Sequence, residues 1–314
     1  MEKISVVIPC YNEEGNISLF YEELKKSFDN NYLYELIFVN DGSKDNTMLE
    51  LEKLLVNKEA KIKIIDFSRN FGKEAAMYAG LKESKGDYTC IIDADLQQNP
   101  KEIIRMLDFI KKENCDAVAL YQTKRKESFL ITKFKSLGYK FLKKVTKLDF
   151  YPGASDFRLL KKKVVLAILE LSESSRFSKG IFAFVGFDTR YLPYEANKRI
   201  NGKSSFTFVK LVRYAIDGLV SFTSSPLRIA TYIGLLFSSL SFFYLFVVVI
   251  QKLFFGINIP GYPTIIVLIL LTSGIQFILL GILGEYLAKT YDETKRRPIY
   301  IAKNILTNEV IYDK

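Results

Sequence analysis

Two stretches in the last third of the chain carry no charge at all, and they limit its architecture more than any other feature. Ile229 to Gln251 is one, between Arg228 and Lys252, and Pro263 to Gly284 is the other. A helix rises 1.5 Å per residue, so runs of about 20 residues cover a hydrocarbon core of roughly 30 Å. Two buried core helices are the bland alternative. Two such runs separated only by the connector KLFFGINIPGY favour transmembrane helices at 228–252 and 263–288. The connector at 253–262 is uncharged, with Lys252 just before it. The 289–314 tail carries Lys289, Lys295, Arg296, Arg297 and Lys303. The positive-inside rule then places both chain ends in the cytoplasm and the connector outside.

Two further segments read as membrane-facing. Residues 123–148 hold Lys124, Arg125, Lys126, Lys133, Lys135, Lys140, Lys143, Lys144 and Lys147 against the single acid Glu127. Phe134, Leu137, Phe141 and Leu142 interleave with them at helical spacing. A solvated basic face and a nucleic-acid patch are the other readings of such a segment. Next to two apolar spans, an anionic lipid or a phosphate-bearing lipid substrate is the better partner, and no nucleic acid is expected. Residues 204–227 form a juxtamembrane amphipathic helix, with Phe208, Leu211, Val212, Ala215, Ile216 and Leu219 on one face.

Residues 1–203 read differently. Apolar runs of strand length at Ile4–Pro9, Leu36–Val39, Ile62–Phe67, Tyr88–Ile92 and Ala117–Leu120 alternate with helical patterns at Glu14–Phe28, Asp45–Val56, Lys73–Glu83 and Pro100–Lys112. That alternation predicts an α/β domain with a mostly parallel, Rossmann-like sheet. Ligands on such sheets bind at the carboxyl ends of the strands. The polar clusters fall there: Tyr11-Asn12-Glu13, Asn40-Asp41-Gly42-Ser43, Ser68-Arg69-Asn70 and Asp93-Ala94-Asp95. Each alone is also an ordinary turn or helix cap, and Asp41-Gly42 and Asp45 look so.

Composition removes several chemistries. The chain has no histidine, so triads and zinc sites built on imidazole are excluded. Cys10, Cys90 and Cys115 are scattered and form no disulfide framework, which fits a reducing compartment. The first residues, MEKISVVIPCYNEE, read as a strand entering a turn rather than as a signal peptide. No GxxxxGK[ST] or GxGxxG is present, which disfavours P-loop hydrolysis and dinucleotide redox chemistry. What remains is Asp93-Ala94-Asp95. Carboxylates at i and i+2 of an extended segment share a side. Such a pair suits a hard divalent cation that completes its shell with water and phosphate and neutralises a departing diphosphate.

The motifs VVIPCYNEEGNI, FVNDGSKDNT, FSRNFGKEAAMYAGL and IIDADLQ resemble those of family 2 glycosyltransferases with the GT-A fold. ASDFRLL, RFSKG, RINGKSSF, SSPLRIATYIG and GILGEYLAKTYDETKRRPIYIA narrow the resemblance to bacterial polyprenyl-phosphate glycosyltransferases, relatives of dolichyl-phosphate mannose synthase that include bactoprenol glucosyltransferases. The resemblance covers nearly the whole chain. One departure is Gln98-Asn99, where the family usually reads Asp-Pro.

The resemblance implies inverting transfer of one sugar from a nucleotide-sugar to undecaprenyl or another polyprenyl phosphate, for cell-envelope glycan modification at the cytoplasmic membrane. UDP-glucose is the first expectation for the donor; UDP-N-acetylglucosamine and GDP-mannose stay open. It implies donor contacts from Pro9, Tyr11, Asn12, Glu13, Asp41, Arg69, Lys73, Asp93 and Ala94, and Mg2+ or Mn2+ held by Asp93 and Asp95. Catalysis would involve Asp156, Asp95 and Gln97. The acceptor phosphate would meet Arg125, Arg176, Lys179, Arg199 and Lys203. For Asp156 the plainer reading is an ion pair with Arg158 or a nearby lysine; for Arg69 and Lys73 it is a capped helix start. A processive polysaccharide synthase is the alternative enzyme, but its Gln-x-x-Arg-Trp motif needs a tryptophan and this chain has none. A non-catalytic, membrane-anchored nucleotide-sugar-binding protein is the other alternative. Gly234, Gly274 and Gly281 in the spans offer close packing between protomers, so a homo-oligomer is a further expectation.

Overall fold

A computed structural model of the chain describes residues 2–28, 32–57, 60–123, 151, 153–174, 176–195, 197, 220, 222–255 and 261–308. The chain forms two compact units, Met1–Leu211 together with Arg297–Lys314, and Val212–Arg296.

The first unit is built on one eight-stranded sheet. In chain order the strands are β1 (Lys3–Cys10), β2 (Leu33–Asn40), β3 (Lys61–Phe67), β4 (Tyr88–Ile91), β5 (Ala117–Gln122), β6 (Ala154–Lys161), β7 (Thr189–Tyr194) and β8 (Ala302–Thr307). Their order in the sheet is β7-β5-β6-β4-β1-β2-β3-β8. Strands β1 to β5 and β7 point one way, while β6 and β8 run against their neighbours. The expected mostly parallel α/β sheet is therefore present.

The central strands are buried on both faces, as in β1, where Ile4 to Ile8 are all buried. Helices α1 (Ile17–Ser27), α2 (Thr47–Leu54), α3 (Lys73–Glu83) and α4 (Lys101–Glu113) return the chain between parallel strands. Helix α4 shows why it packs: Ile103, Met106, Leu107 and Ile110 recur at helical spacing and are all buried. Helix α3 lies closer to the sheet. A Cβ on Gly80 would sit 2.1 Å from a methyl of Val7, so only glycine allows that approach. Two more helices, α5 (Lys162–Glu170) and α6 (Ser178–Phe184), follow β6.

The segment 289–314, expected as a tail, does not stay apart from the sheet. Its residues Ala302–Thr307 form β8, antiparallel to β3. Asn308 closes the strand. Its side chain accepts from the Ile62 N–H at 2.6 Å and donates to the carbonyls of Asn57 and Ala60 at 2.6 and 2.9 Å. Tyr300 stacks on Phe67 with ring centroids 4.9 Å apart.

The second unit contains two long helices, α7 (Ser225–Phe255) and α8 (Tyr262–Thr294). They contain the expected spans 228–252 and 263–288. Both are long and apolar enough to cross a membrane, over Ser225–Val248 and Leu268–Thr294, and those stretches are not buried within the chain. The Tyr286 hydroxyl donates to the Thr223 carbonyl at 2.6 Å, tying α8 to the residues before α7. Nearly all of the basic segment 123–148, most of the juxtamembrane segment 204–227 and residues 256–260 of the connector 253–262 lie outside the described residues.

Candidate active site

The loops that follow β1 and β2 are knitted together by side chains bonding to backbone. Asn12 takes a left-handed backbone (φ 55). Its N–H donates to the Ser43 hydroxyl at 3.0 Å, and its side-chain oxygen accepts from the Lys44 N–H at 2.8 Å. The Glu13 N–H donates to Thr47 Oγ1 at 2.8 Å, and the Glu13 carboxylate accepts from Asn16. Tyr11 is exposed beside them, and Pro9 is half-buried at the end of β1. The polar triplets seen in the sequence thus build a rigid rim.

Asp41 serves the next loop. Its carboxylate accepts from the N–H groups of Phe71 at 2.6 Å and Gly72 at 3.0 Å, just before α3 begins. Gly42 (φ +61) passes so close that a Cβ there would lie 2.3 Å from the Arg69 carbonyl carbon. Asp41 is buried, and burial raises its pKa despite those donors. Asp41, expected at the donor, thus also fixes the start of α3. Arg69 lies exposed, with its guanidinium 4.1 Å from the Phe71 ring.

Lys73 is the first residue of α3, and its position organises the site. Strand β6 pairs with β4 so that Ile91 faces Arg158. Continuing that register by two residues brings Asp93 level with Asp156. The Lys73 ammonium lies between them, 2.6 Å from Asp93 Oδ1 and 3.0 Å from Asp156 Oδ2. The expected ion pair of Asp156 with a lysine is present, and the same lysine also takes Asp93. Arg158 instead sends its Nε–H to the Ser155 carbonyl and stacks on Phe182.

The electrostatics follow. Burial works against the charge on Asp156, but Lys73, then Lys179 and Arg158, outweigh it and hold the carboxyl at about 2. Burial also works against charge on Lys73, and the two carboxylates overcome it, so its pKa is raised. For Asp93, burial outweighs Lys73 and the pKa is raised. The lysine therefore keeps its proton, and Asp156 stays ionised.

Glu74, which the sequence analysis did not single out, joins two motifs. Its carboxylate accepts from the Ser178 N–H at 2.9 Å and from the Ser178 hydroxyl. This fixes the start of α6, which carries Lys179. Burial pushes the Glu74 pKa up to about 7. An acid raised in the folded state binds more protons there than in the unfolded chain. Stability must then fall as pH rises from about 4.5 through 7. Glu74→Gln keeps an acceptor for Ser178 but has no proton to lose. The melting temperature of the parent is expected to fall more steeply between pH 5 and pH 8 than that of Glu74→Gln. Parallel curves would refute the assignment.

Arg176, expected at the acceptor phosphate, also has partners within the chain. Its guanidinium donates to the carbonyls of Leu171 at 2.7 Å and Ile168 at 3.4 Å, closing the end of α5, and lies 4.5 Å from the Tyr78 ring. Gln97 stays next to the pair of carboxylates. Its N–H donates to Asp95 Oδ1 at 3.1 Å, and its carbonyl accepts from the Asn197 N–H at 3.0 Å. Ala94 is buried within that turn. Arg125, Arg199 and Lys203 lie outside the described residues.

No group of three or more metal-ligating side chains occurs among the described residues. The chain itself supplies two adjacent carboxylates, Asp93 and Asp95, at a strand end. Oxygen donors in that number fit a hard divalent cation whose other ligands come from phosphate and water.

Residues 5–168 match glycosyl transferase family 2, and residues 225–290 match the GtrB C-terminal hairpin. A protein of Bacillus subtilis (strain 168) named as a glycosyltransferase, CsbB, is 43% identical over 303 residues, covering 96% of this chain and 91% of that one. The bactoprenol glucosyl transferase of Shigella phage SfV is 39% identical, covering 96% of this chain and 98% of its own. Among solved structures, glucosyl-3-phosphoglycerate synthase from Mycobacterium tuberculosis, in complex with Mn2+, UDP-glucose and phosphoglyceric acid, shares 17% identity with a TM-score of 0.48. It covers 70% of this chain and 78% of that one.

Proposed function

Because the chain belongs to glycosyl transferase family 2, we propose that it is a membrane-bound inverting enzyme that moves one glucose from UDP-glucose to a polyprenyl phosphate such as undecaprenyl phosphate. The observation that carries this reading is the Asp93–Lys73–Asp156 arrangement at the carboxyl edge of the sheet, with Asp95 beside it. The relatives named for bactoprenol and for glucosyl transfer support the acceptor and the sugar, and the apolar hairpin supports a membrane setting.

In this reading the rim formed by Pro9, Tyr11, Asn12 and Glu13 receives the nucleoside. Mg2+ or Mn2+, held by Asp93, Asp95 and the donor diphosphate, would neutralise the leaving group. An acceptor phosphate oxygen attacks the anomeric carbon from the opposite face and inverts it, through an oxocarbenium-like transition state. A phosphate monoester has its second pKa near 6, so it arrives largely ionised. Asp156, held at about 2, is a poor base. Its part is a fixed negative charge that orients Lys73 and the reacting groups. Arg125, Lys179, Arg199 and Lys203 would supply cations for the acceptor. The acceptor cannot leave the bilayer, because exposing its tail costs about 0.8 kcal/mol per CH₂. The catalytic unit therefore works at the cytoplasmic membrane surface.

The test uses the purified full chain in detergent with Mn2+, UDP-glucose and undecaprenyl phosphate. UDP release that requires the lipid phosphate, and a product of inverted anomeric configuration, are expected. UDP release indifferent to the lipid, or none with any nucleotide-sugar, would sink the reading. The topology has its own check. A cysteine at Asn258 should react with a membrane-impermeant thiol reagent in intact cells, and one at Thr307 should not; the reverse pattern would put the catalytic unit on the wrong side for cytosolic donor.

A further inference from the structure

Gln98 occupies a position where the resembled family usually has an aspartate, and its side chain is buried at 5% exposure. It holds Asp93 at two points. Its carbonyl oxygen accepts from the Asp93 N–H at 3.0 Å, and its Nε2 donates to Asp93 Oδ2 at 3.2 Å. Only one amide orientation satisfies both bonds, because a flipped amide would set N–H against N–H. The other carboxylate oxygen, Oδ1, faces Lys73 at 2.6 Å. Each oxygen of Asp93 is thus directed by a different partner, and each retains a lone pair.

An ionised aspartate at this position would have acceptors only. It could take the Asp93 N–H, but it would turn a carboxylate toward a carboxylate, which disfavours charge on both. The glutamine amide supplies the donor that an acid lacks. The turn beyond Asp93 needs such support. Leu96 has a left-handed backbone (φ 58), and the loop is otherwise held by Asn197 and by the Asp95–Gln97 contact.

We infer that Gln98 is a positioning residue that presets the Asp93 carboxylate for a nucleoside diphosphate carried with a divalent cation. The inference rests on the glycosyltransferase function proposed above. A carboxylate fixed beforehand need not be ordered when the donor binds. Loss of the grip should therefore appear in donor affinity and KM more than in kcat.

The test compares the full-length parent with Gln98→Glu, Gln98→Met, Asp93→Asn and the Asp93→Asn/Gln98→Glu double variant. Calorimetry gives the Kd for UDP with Mn2+, steady-state assays give KM and kcat, and melting temperatures are recorded alongside. Gln98→Glu keeps the acceptor and replaces the donor by a charge; Gln98→Met removes both bonds in a chain of similar length. Gln98→Glu should weaken UDP and raise donor KM by about tenfold, the scale of a hydrogen bond to a charged group, with kcat within about threefold. Gln98→Met should do the same to a lesser extent. In the Asp93→Asn background the glutamate should add nothing, because the charge it repels is gone. Parent-like UDP binding by both single variants would overturn the inference. So would an undiminished glutamate effect in the Asp93→Asn background, or equal losses in kcat and affinity that track a lower melting temperature. A parent that fails to bind UDP with Mn2+ would bring down the donor assignment as well, a result distinct from a parent that binds and variants that match it.

Discussion

Asp95→Asn is expected to keep the fold and lose about a thousandfold in turnover. The side chain is half-buried in the turn after β4, and asparagine preserves an oxygen for the Gln97 N–H. What it lacks is the negative charge that draws a cation to the departing diphosphate. Lewis-acid stabilisation of that kind is worth several kcal/mol, and each 1.36 kcal/mol is tenfold in rate. UDP release in the presence of undecaprenyl phosphate measures the effect. Chelation of the parent should produce a comparable loss, restored by Mg2+ or Mn2+. Full turnover by Asp95→Asn in saturating chelator would remove the cation from the mechanism.

Lys73→Met should cost about a hundredfold or more, the scale seen when a preorganised charge is removed from a reacting centre. The ammonium is the common partner of Asp93 and Asp156, whose side chains are only 28% and 22% exposed. Without it, two like charges face each other across the site. Lys179 and Arg158 still favour the charge on Asp156, but with Lys73 gone less opposes burial and the carboxyl rises from about 2. In the parent, Asp156 is fully ionised from neutral pH down to the mildly acid range. In the variant the acid side of the rate profile should move to higher pH, because protonation now begins sooner as pH falls. Lys73→Arg keeps the charge and should recover part of the rate. A Lys73→Met enzyme with the parent's kcat and profile would show that the double ion pair is structural only.

The alternating strands and helices of the catalytic unit are legible because each has an apolar run or a helical stripe long enough to identify alone. Strand β6 is harder, since ASDFRLLK mixes polar and apolar residues and its partner β4 lies far back in the chain. Strand β8 has no local signature at all; its register is set by Asn308 and by the stacking of Tyr300 on Phe67. The site divides in the same way. Asp93, Asp95 and Asp156 are visible as carboxylates in recognisable motifs. That Lys73 would serve two of them, rather than a diphosphate alone, depends on a β4–β6 register that spacing cannot supply. Asp41 and Arg176 carry chemistry suited to ligands, and spacing alone does not reveal that Asp41 also takes backbone N–H groups and Arg176 also gives to helix carbonyls. A side chain's type fixes what it is able to bond, and only the fold decides with what.

The placement of β8 has a consequence for how the protein is made. Ile62 and the Asn308 side chain that seals its strand are 246 residues apart in sequence, and both apolar helices are synthesised in between. A nascent chain folds its amino-terminal part first. During that interval the edge of β3 has no neighbour to take its backbone groups, and unpaired strand edges recruit other chains. The last strand can arrive only after both apolar helices have been translated, so completion of the sheet waits on them. A catalytic unit cut off before α7 would keep that edge open permanently. It should aggregate unless residues 297–308 are returned to it, either as a separate peptide or through a short artificial linker.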